Sequence, residues 1–153
     1  PSLLTSSWRT VHTETSVRRF AATRPGDKEP ISRFLRLSES GLCNTLRAGT
    51  DAQRGAFTAP RPIHPRLPRV ITVREAARLH SYPDWFRFHA TKAHGFRQVG
   101  NSVPPLLGRA VGRALMTALG RRPRKPQERP THAASDDRLL NVTPGSASTV
   151  LAS

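Results

Sequence analysis

A single cysteine, Cys43, stands in a chain of 153 residues. That excludes a disulfide framework and a thiolate metal cluster, and a reducing compartment fits it. The histidines do not replace them. His12, His64, His80, His89, His94 and His132 show no metal-ligand spacing and have no partner cysteine, so no metal is expected. No apolar run approaches the roughly 18 residues of a membrane span, and no signal-peptide pattern opens the chain. No internal repeat is present. Acidic residues are few: 10 Asp and Glu stand against 25 Lys and Arg, for a formal net charge of +15. Such an excess favours an anionic partner such as a nucleic acid. An Arg-rich genome composition would inflate the charge in the same way, and composition gives the two readings equal weight. A chain of this length buries one core and no more. Its first residue is Pro1 rather than Met, which reads as a fragment or a processed product.

Residues 1 to about 35 are polar, basic and weakly patterned. Val17-Arg18-Arg19-Phe20 offers a short ordered piece, and Arg24-Pro25-Gly26-Asp27 is a turn signal. Cys43 to Ala48 reads as a short strand, and Gly49 to Gly55 as an exposed polar loop. Pro60, Pro62, Pro65 and Pro68 exclude both helix and central strand from Phe57 to Pro68. A helix is predicted from Thr72, because Thr72-Val73-Arg74-Glu75 fits a capping box. Val73, Ala76, Ala77 and His80 share its apolar face. Pro83 ends it or begins a new turn, and Trp85, Phe86 and Phe88 supply bulk for a core. Thr91 to Gly95 reads as loop. A tight Gly100-Asn101 turn then leads into a second helix near Pro104 and Pro105, where missing amides cost little. Leu106, Leu107, Ala110, Val111, Ala114, Leu115 and Ala118 give that helix a broad apolar face, and Gly120 suits the position past its end. Gly108 and Gly112 imply close packing against a neighbour. Beyond lies a basic, then Ser/Thr/Ala-rich tail, expected to be disordered.

Two blocks stand in fixed order: Arg69-Val70-Ile71-Thr72-Val73-Arg74-Glu75-Ala76-Ala77-Arg78-Leu79 with Tyr82-Pro83-Asp84, then Phe96-Arg97-Gln98-Val99-Gly100-Asn101-Ser102-Val103-Pro104-Pro105. Together they resemble the last two blocks, motifs IX and X, of the DNA cytosine-5 methyltransferases. Thr45-Leu46 resembles the Thr-Leu pair of that family's target-recognition region. The resemblance is specific from about Gly41 to Leu119. It implies the C-terminal part of an α/β, Rossmann-like S-adenosylmethionine-dependent methyltransferase. This chain alone would be a partial α+β piece with two helices and an irregular recognition segment. By resemblance, Asn101, Ser102 and Val103 bind S-adenosylmethionine. Thr45, Arg47, Gln53 and Arg54 bind double-stranded DNA, with Arg and Gln chemistry suited to phosphates or base edges. Thr72, Arg74 and Glu75 organise the scaffold. The implied divisions are 1–16 poorly ordered, 17–68 part of the target-recognition region, 69–120 the motif IX and X helices, and 121–153 the tail.

The blocks that carry the family's chemistry are missing. No Pro-Cys-Gln supplies a nucleophile to attack C6 of a flipped cytosine, and Cys43 sits in Leu42-Cys43-Asn44 instead. No Glu-Asn-Val and no Phe-x-Gly-x-Gly cofactor loop occur. The chain alone is therefore expected to be inactive, with no catalytic residue of its own. The missing part would lie on the same longer chain or on a separate subunit of a split enzyme. A free-standing basic DNA-binding module and a structural remnant are the alternatives. The resemblance implies a cytoplasmic prokaryotic protein, nucleoid-associated on DNA, of the kind found in restriction-modification systems.

Overall fold

The computed structural model describes residues 6–47, 61–89 and 91–122, and four helices form among them. The first, α1 (Glu14–Ala22), is capped by Thr13, whose hydroxyl accepts from the Ser16 amide at 3.3 Å. Glu14 and Arg18 pair one turn apart. The free carbonyls at the helix end need donors. Arg36 supplies them, reaching the carbonyls of Phe20, Ala21 and Thr23 at 2.9, 3.1 and 2.8 Å. The piece foreseen at Val17–Phe20 is thus the middle of a nine-residue helix. Its first turn falls inside the 1–16 segment expected to be poorly ordered, and Thr13 capping accounts for that difference.

No strand forms among the described residues, so the β component expected of an α+β piece is reduced to isolated bridges. Lys28 pairs antiparallel with Leu35, Arg36 parallel with Ile63, and Ile63 antiparallel with Val70. Pro62, Pro65 and Pro68 remove the amides a longer ladder would need. Cys43–Arg47, foreseen as part of a strand, is irregular; Ala48 and the 49–55 loop lie outside the described residues. The bridged segments still alternate with period two. Phe34, Ile63 and Val70 turn toward Phe20. Leu35, Leu37 and Ile71 turn to the larger cluster built on Val73, Ala76, Ala77, Phe88, Phe96 and Val99.

Helix α2 (Val73–Leu79) starts as the sequence predicts. Thr72 Oγ1 accepts from the Glu75 amide at 3.1 Å, and Glu75 accepts from the Thr72 amide at 2.7 Å. Val73, Ala76 and Ala77 are buried as expected; Leu79 is exposed and His80 half-exposed. Helix α3 (Lys92–Asn101) replaces the loop expected over Thr91–Gly95. It packs on α2 through Gly95, where a Cβ would stand 2.8 Å from Val73 Cγ1 and 3.2 Å from the His89 carbonyl. Only glycine permits that approach. Tertiary contact, rather than local propensity, thus makes this helix.

The chain divides into two units, residues 1–102 and 103–153. In the second, α4 (Pro105–Ala118) begins with Pro105 at a position that tolerates a missing amide. It ends in a Schellman closure. Gly120 takes φ +64, its amide donates to the Thr117 carbonyl, and Arg121 donates to that of Met116. Leu106, Leu107, Val111, Leu115 and Leu119 are each 50–70% exposed. The neighbour expected at the helix glycines is not among the described residues. A Cβ at Gly112 would meet nothing within 4 Å, and one at Gly108 only Val103 Cγ1 at 3.9 Å. No described helix is long and apolar enough to cross a membrane.

Candidate functional site

The two ends of the second motif differ from the sequence expectation in one respect. Gly100 and Asn101 form no separate turn before α4; they are the last residues of α3. Ser102 caps that end, its hydroxyl donating to the Val99 carbonyl at 2.7 Å and its amide to the same oxygen at 3.2 Å. Its proton is therefore committed to the scaffold, although its oxygen can still accept. Asn101 is exposed, and no described residue hydrogen-bonds its amide group. Val103 is 63% exposed and opens the second unit. Val99, one turn before Ser102, is buried in the main cluster and anchors this end of α3.

In the segment expected to recognise DNA, Leu46 is buried against the cluster that holds α2 and α3, while Thr45 and Arg47 flank it in solvent. An apolar anchor thus displays one hydroxyl and one guanidinium outward. Gln53 and Arg54 lie outside the described residues.

Thr72, Arg74 and Glu75, expected to organise the scaffold, take part in a polar framework. Arg69 grips both oxygens of Glu75 at 2.8 Å each. Burial opposes ionisation of Glu75, yet the Arg69 fork and the Thr72 amide outweigh it and hold the carboxyl at about 2. Arg74 is 2% exposed, not on a solvated face. It donates to the Phe86 carbonyl at 2.7 Å and the Pro83 carbonyl at 3.3 Å, tying the loop after α2 to the helix. Burial lowers its pKa, partly offset by Asp84. Arg78 clasps Asp84 through two bonds of 2.8 and 2.7 Å in the open. Trp85, expected to fill the core, is exposed; Phe86 and Phe88 pack with Tyr82 instead.

Two further charged constructions escaped the sequence reading. Glu29 is buried and takes a fork from Arg19 at 2.9 and 3.0 Å, together with the amides of Ile31 and Ser32. Burial raises its pKa, but these donors prevail and hold it at about 2. No local pattern flags a pair ten residues apart across a turn. The second is Arg61, whose guanidinium lies 4.9 Å from the Phe96 ring centroid. Among the described residues no group of His, Cys, Asp and Glu could hold a metal ion, and burial keeps the Cys43 thiol protonated by raising its pKa.

Comparison with known proteins gives this geometry its setting. The profile of C-5 cytosine-specific DNA methylases matches residues 6–117. The chain is 66% identical over 143 residues to the type II methyltransferase M.XorII of Xanthomonas oryzae pv. oryzae, covering 94% of this chain and 33% of that protein. It is 45% identical over 71 residues to DNA (cytosine-5)-methyltransferase 2 of Arabidopsis thaliana, covering 42% of this chain and 5% of the plant protein. A solved E. coli structure, named for a prophage-encoded DNA modification methyltransferase, superposes with a TM-score of 0.64 at 43% identity, covering 75% of this chain and 29% of that one. The chain thus spans about a third of M.XorII. With the profile covering most of its length and both motifs in order, this chain belongs to the C-5 cytosine-specific DNA methylase family.

Proposed function

We propose that this chain is the target-recognition and cofactor-closing C-terminal portion of an enzyme that methylates C5 of cytosine in double-stranded DNA. The observation that carries the reading is Asn101. It is exposed at the end of a helix whose other face is locked, and no described residue occupies its amide group. Members of this family use S-adenosylmethionine, which supplies the methyl group. Asn101 fits a polar contact to it and Val103 an apolar one, and Ser102 closes α3 on the Val99 carbonyl while keeping an acceptor free. Thr45 and Arg47 contact DNA, and the same role is proposed for Gln53 and Arg54, which lie outside the described residues. Thr72, Arg74 and Glu75 fix the helix on which α3 rests. The apolar face of α4 meets the catalytic portion, which lies on the same longer chain or on a separate subunit and brings the nucleophile.

The test is reconstitution with a catalytic portion that carries Pro-Cys-Gln and Phe-x-Gly-x-Gly. The chain alone should transfer no labelled methyl group, because the groups that perform the chemical step are absent. The combined enzyme should transfer it. Asn101→Ala should weaken S-adenosylmethionine binding by about 1–3 kcal/mol and leave cofactor-free DNA affinity unchanged. Arg47→Ala should do the reverse. Methyl transfer by the pure chain, or an Asn101→Ala enzyme with normal cofactor affinity, refutes the assignment.

A further inference from the structure

The backbone fixes Arg61 before its side chain makes any polar contact. The Ile71 amide donates to the Pro62 carbonyl at 2.9 Å, and Ile63 bridges Val70 antiparallel. That register sets Arg61 opposite Thr72, at the head of α2. From there its guanidinium stacks over Phe96 of α3. The residue is half-buried, and none of its donors has a hydrogen-bond acceptor among the described residues. The described acids that form ion pairs are committed elsewhere. Glu14, Glu29, Glu39, Glu75 and Asp84 hold Arg18, Arg19, Arg66, Arg69 and Arg78. The inward-turned Arg36 and Arg74 take backbone carbonyls. Arg61 differs from all of these: it is a partly desolvated cation with a ring against it and no oxygen partner among the described residues. Burial weighs against its charge without a compensating partner.

A second cation stands on α3 one turn before Phe96, the ring that Arg61 covers. Lys92, the first residue of α3, donates to the Arg9 carbonyl at 2.7 Å and lies 3.4 Å from Thr10 Oγ1. The ring of His12 reports on both. Its Nε2 accepts from the Val70 amide at 3.2 Å, and its pKa is lowered first by burial and then by Lys92, Arg61 and Arg69. These three cations therefore bear on one locality, and Glu75 answers only Arg69.

We propose that Arg61, with Lys92 beside it, seats a phosphate of the DNA backbone. This rests on the DNA-methylating role argued above and adds a contact outside the Thr45–Arg54 recognition segment. A guanidinium fork matches phosphate oxygens two at a time, and the Phe96 ring fixes the plane of the fork. A contact of this kind orients the duplex and reads no sequence. It should therefore act alike on any duplex.

The test uses the full chain and a fluorescein-labelled duplex of arbitrary sequence, with anisotropy titrations at several salt concentrations. Wild-type affinity should fall steeply with salt. Arg61→Gln should lose about 3- to 30-fold in affinity near 100 mM salt and flatten the log–log salt slope by about one. Arg61→Lys should restore the slope but only part of the affinity, since an ammonium cannot fork. Circular dichroism establishes that each variant is folded. A folded Arg61→Gln chain with the wild-type slope overturns the proposal and leaves the DNA-binding reading intact. That includes a variant whose affinity drops while its slope holds, the signature of a carboxylate partner or a structural role. A wild-type chain that binds no duplex at low salt overturns both. Should Arg61→Gln fail to fold, Lys92→Gln takes its place, and an unchanged slope there overturns the seat.

Discussion

Glu75→Gln isolates the contribution of one charge to the framework beneath α3. The carboxylate has three donors within 2.8 Å: two from the Arg69 fork and one from the Thr72 amide. Gln keeps the length of the side chain and one acceptor for Thr72, but turns an amide donor toward Arg69. Glu75 titrates at about 2 in the fold, against 4.5 ordinarily. That gap corresponds to about 3 kcal/mol of stability. The pair is partly open to solvent, with side chains 13% and 28% exposed, so about 2 kcal/mol is the better expectation. Because the folded value is depressed, this stabilisation is present above pH 4.5. It is lost as pH falls toward 2. Chemical denaturation, followed by tryptophan fluorescence at sub-micromolar concentration, should therefore show the variant weaker by about 2 kcal/mol at pH 7. The difference should shrink steadily below pH 4. A variant as stable as wild type at pH 7 would refute the reasoning. So would a deficit that persists undiminished at pH 2.5, which would assign the loss to shape and not to charge.

Gly95→Ala should destabilise the first unit by about 1–3 kcal/mol, since the new Cβ would collide with Val73 and the His89 carbonyl; a denaturation midpoint at or above that of wild type would count against close packing of α2 and α3. The isolated chain should self-associate, because five large apolar residues of α4 and its cap are each at least half exposed. Size-exclusion chromatography with light scattering checks this, and a monodisperse monomer would contradict it. Leu107→Glu and Leu115→Glu together should abolish the association while leaving the helical signal of the first unit in place.

The parts of the fold that were legible in the sequence are those decided within one or two turns of chain. Thr72 and Glu75 cap α2 by reaching only three residues, so the pattern itself carries the geometry. Pro105 and Gly120 bracket α4 for equally local reasons. Helix α3 was not legible. Its N-cap Thr91 makes no side-chain bond, and Gly95 and Gly100 both lower its propensity. It exists because the first of those glycines, Gly95, lets it settle on Val73, a residue 22 positions earlier that nothing local announces. The strand expected at Cys43–Ala48 fails for a related reason. Leu46 is pinned by the core of α2 and α3, and no described segment offers Cys43–Arg47 a ladder.

The candidate site divides along the same line. Resemblance picked out Asn101, Ser102 and Val103 as one contiguous stretch, but only coordinates separate their capacities. The hydroxyl proton of Ser102 is taken by Val99, whereas Asn101 is exposed and its amide group has no hydrogen-bond partner among the described residues. Arg74, expected to position, is buried against the carbonyls of Pro83 and Phe86, which no sequence pattern aims at it. Arg61 sits furthest from what a sequence can say. In a chain with 25 basic residues its composition marks it as nothing unusual. What singles it out is half-burial against the Phe96 ring with no acceptor among the described residues, and that can be judged only once the described acids of the ion pairs have been matched to their arginines. A charge surplus becomes informative when the ion pairs are assigned and a cation in contact with an aromatic ring is left over.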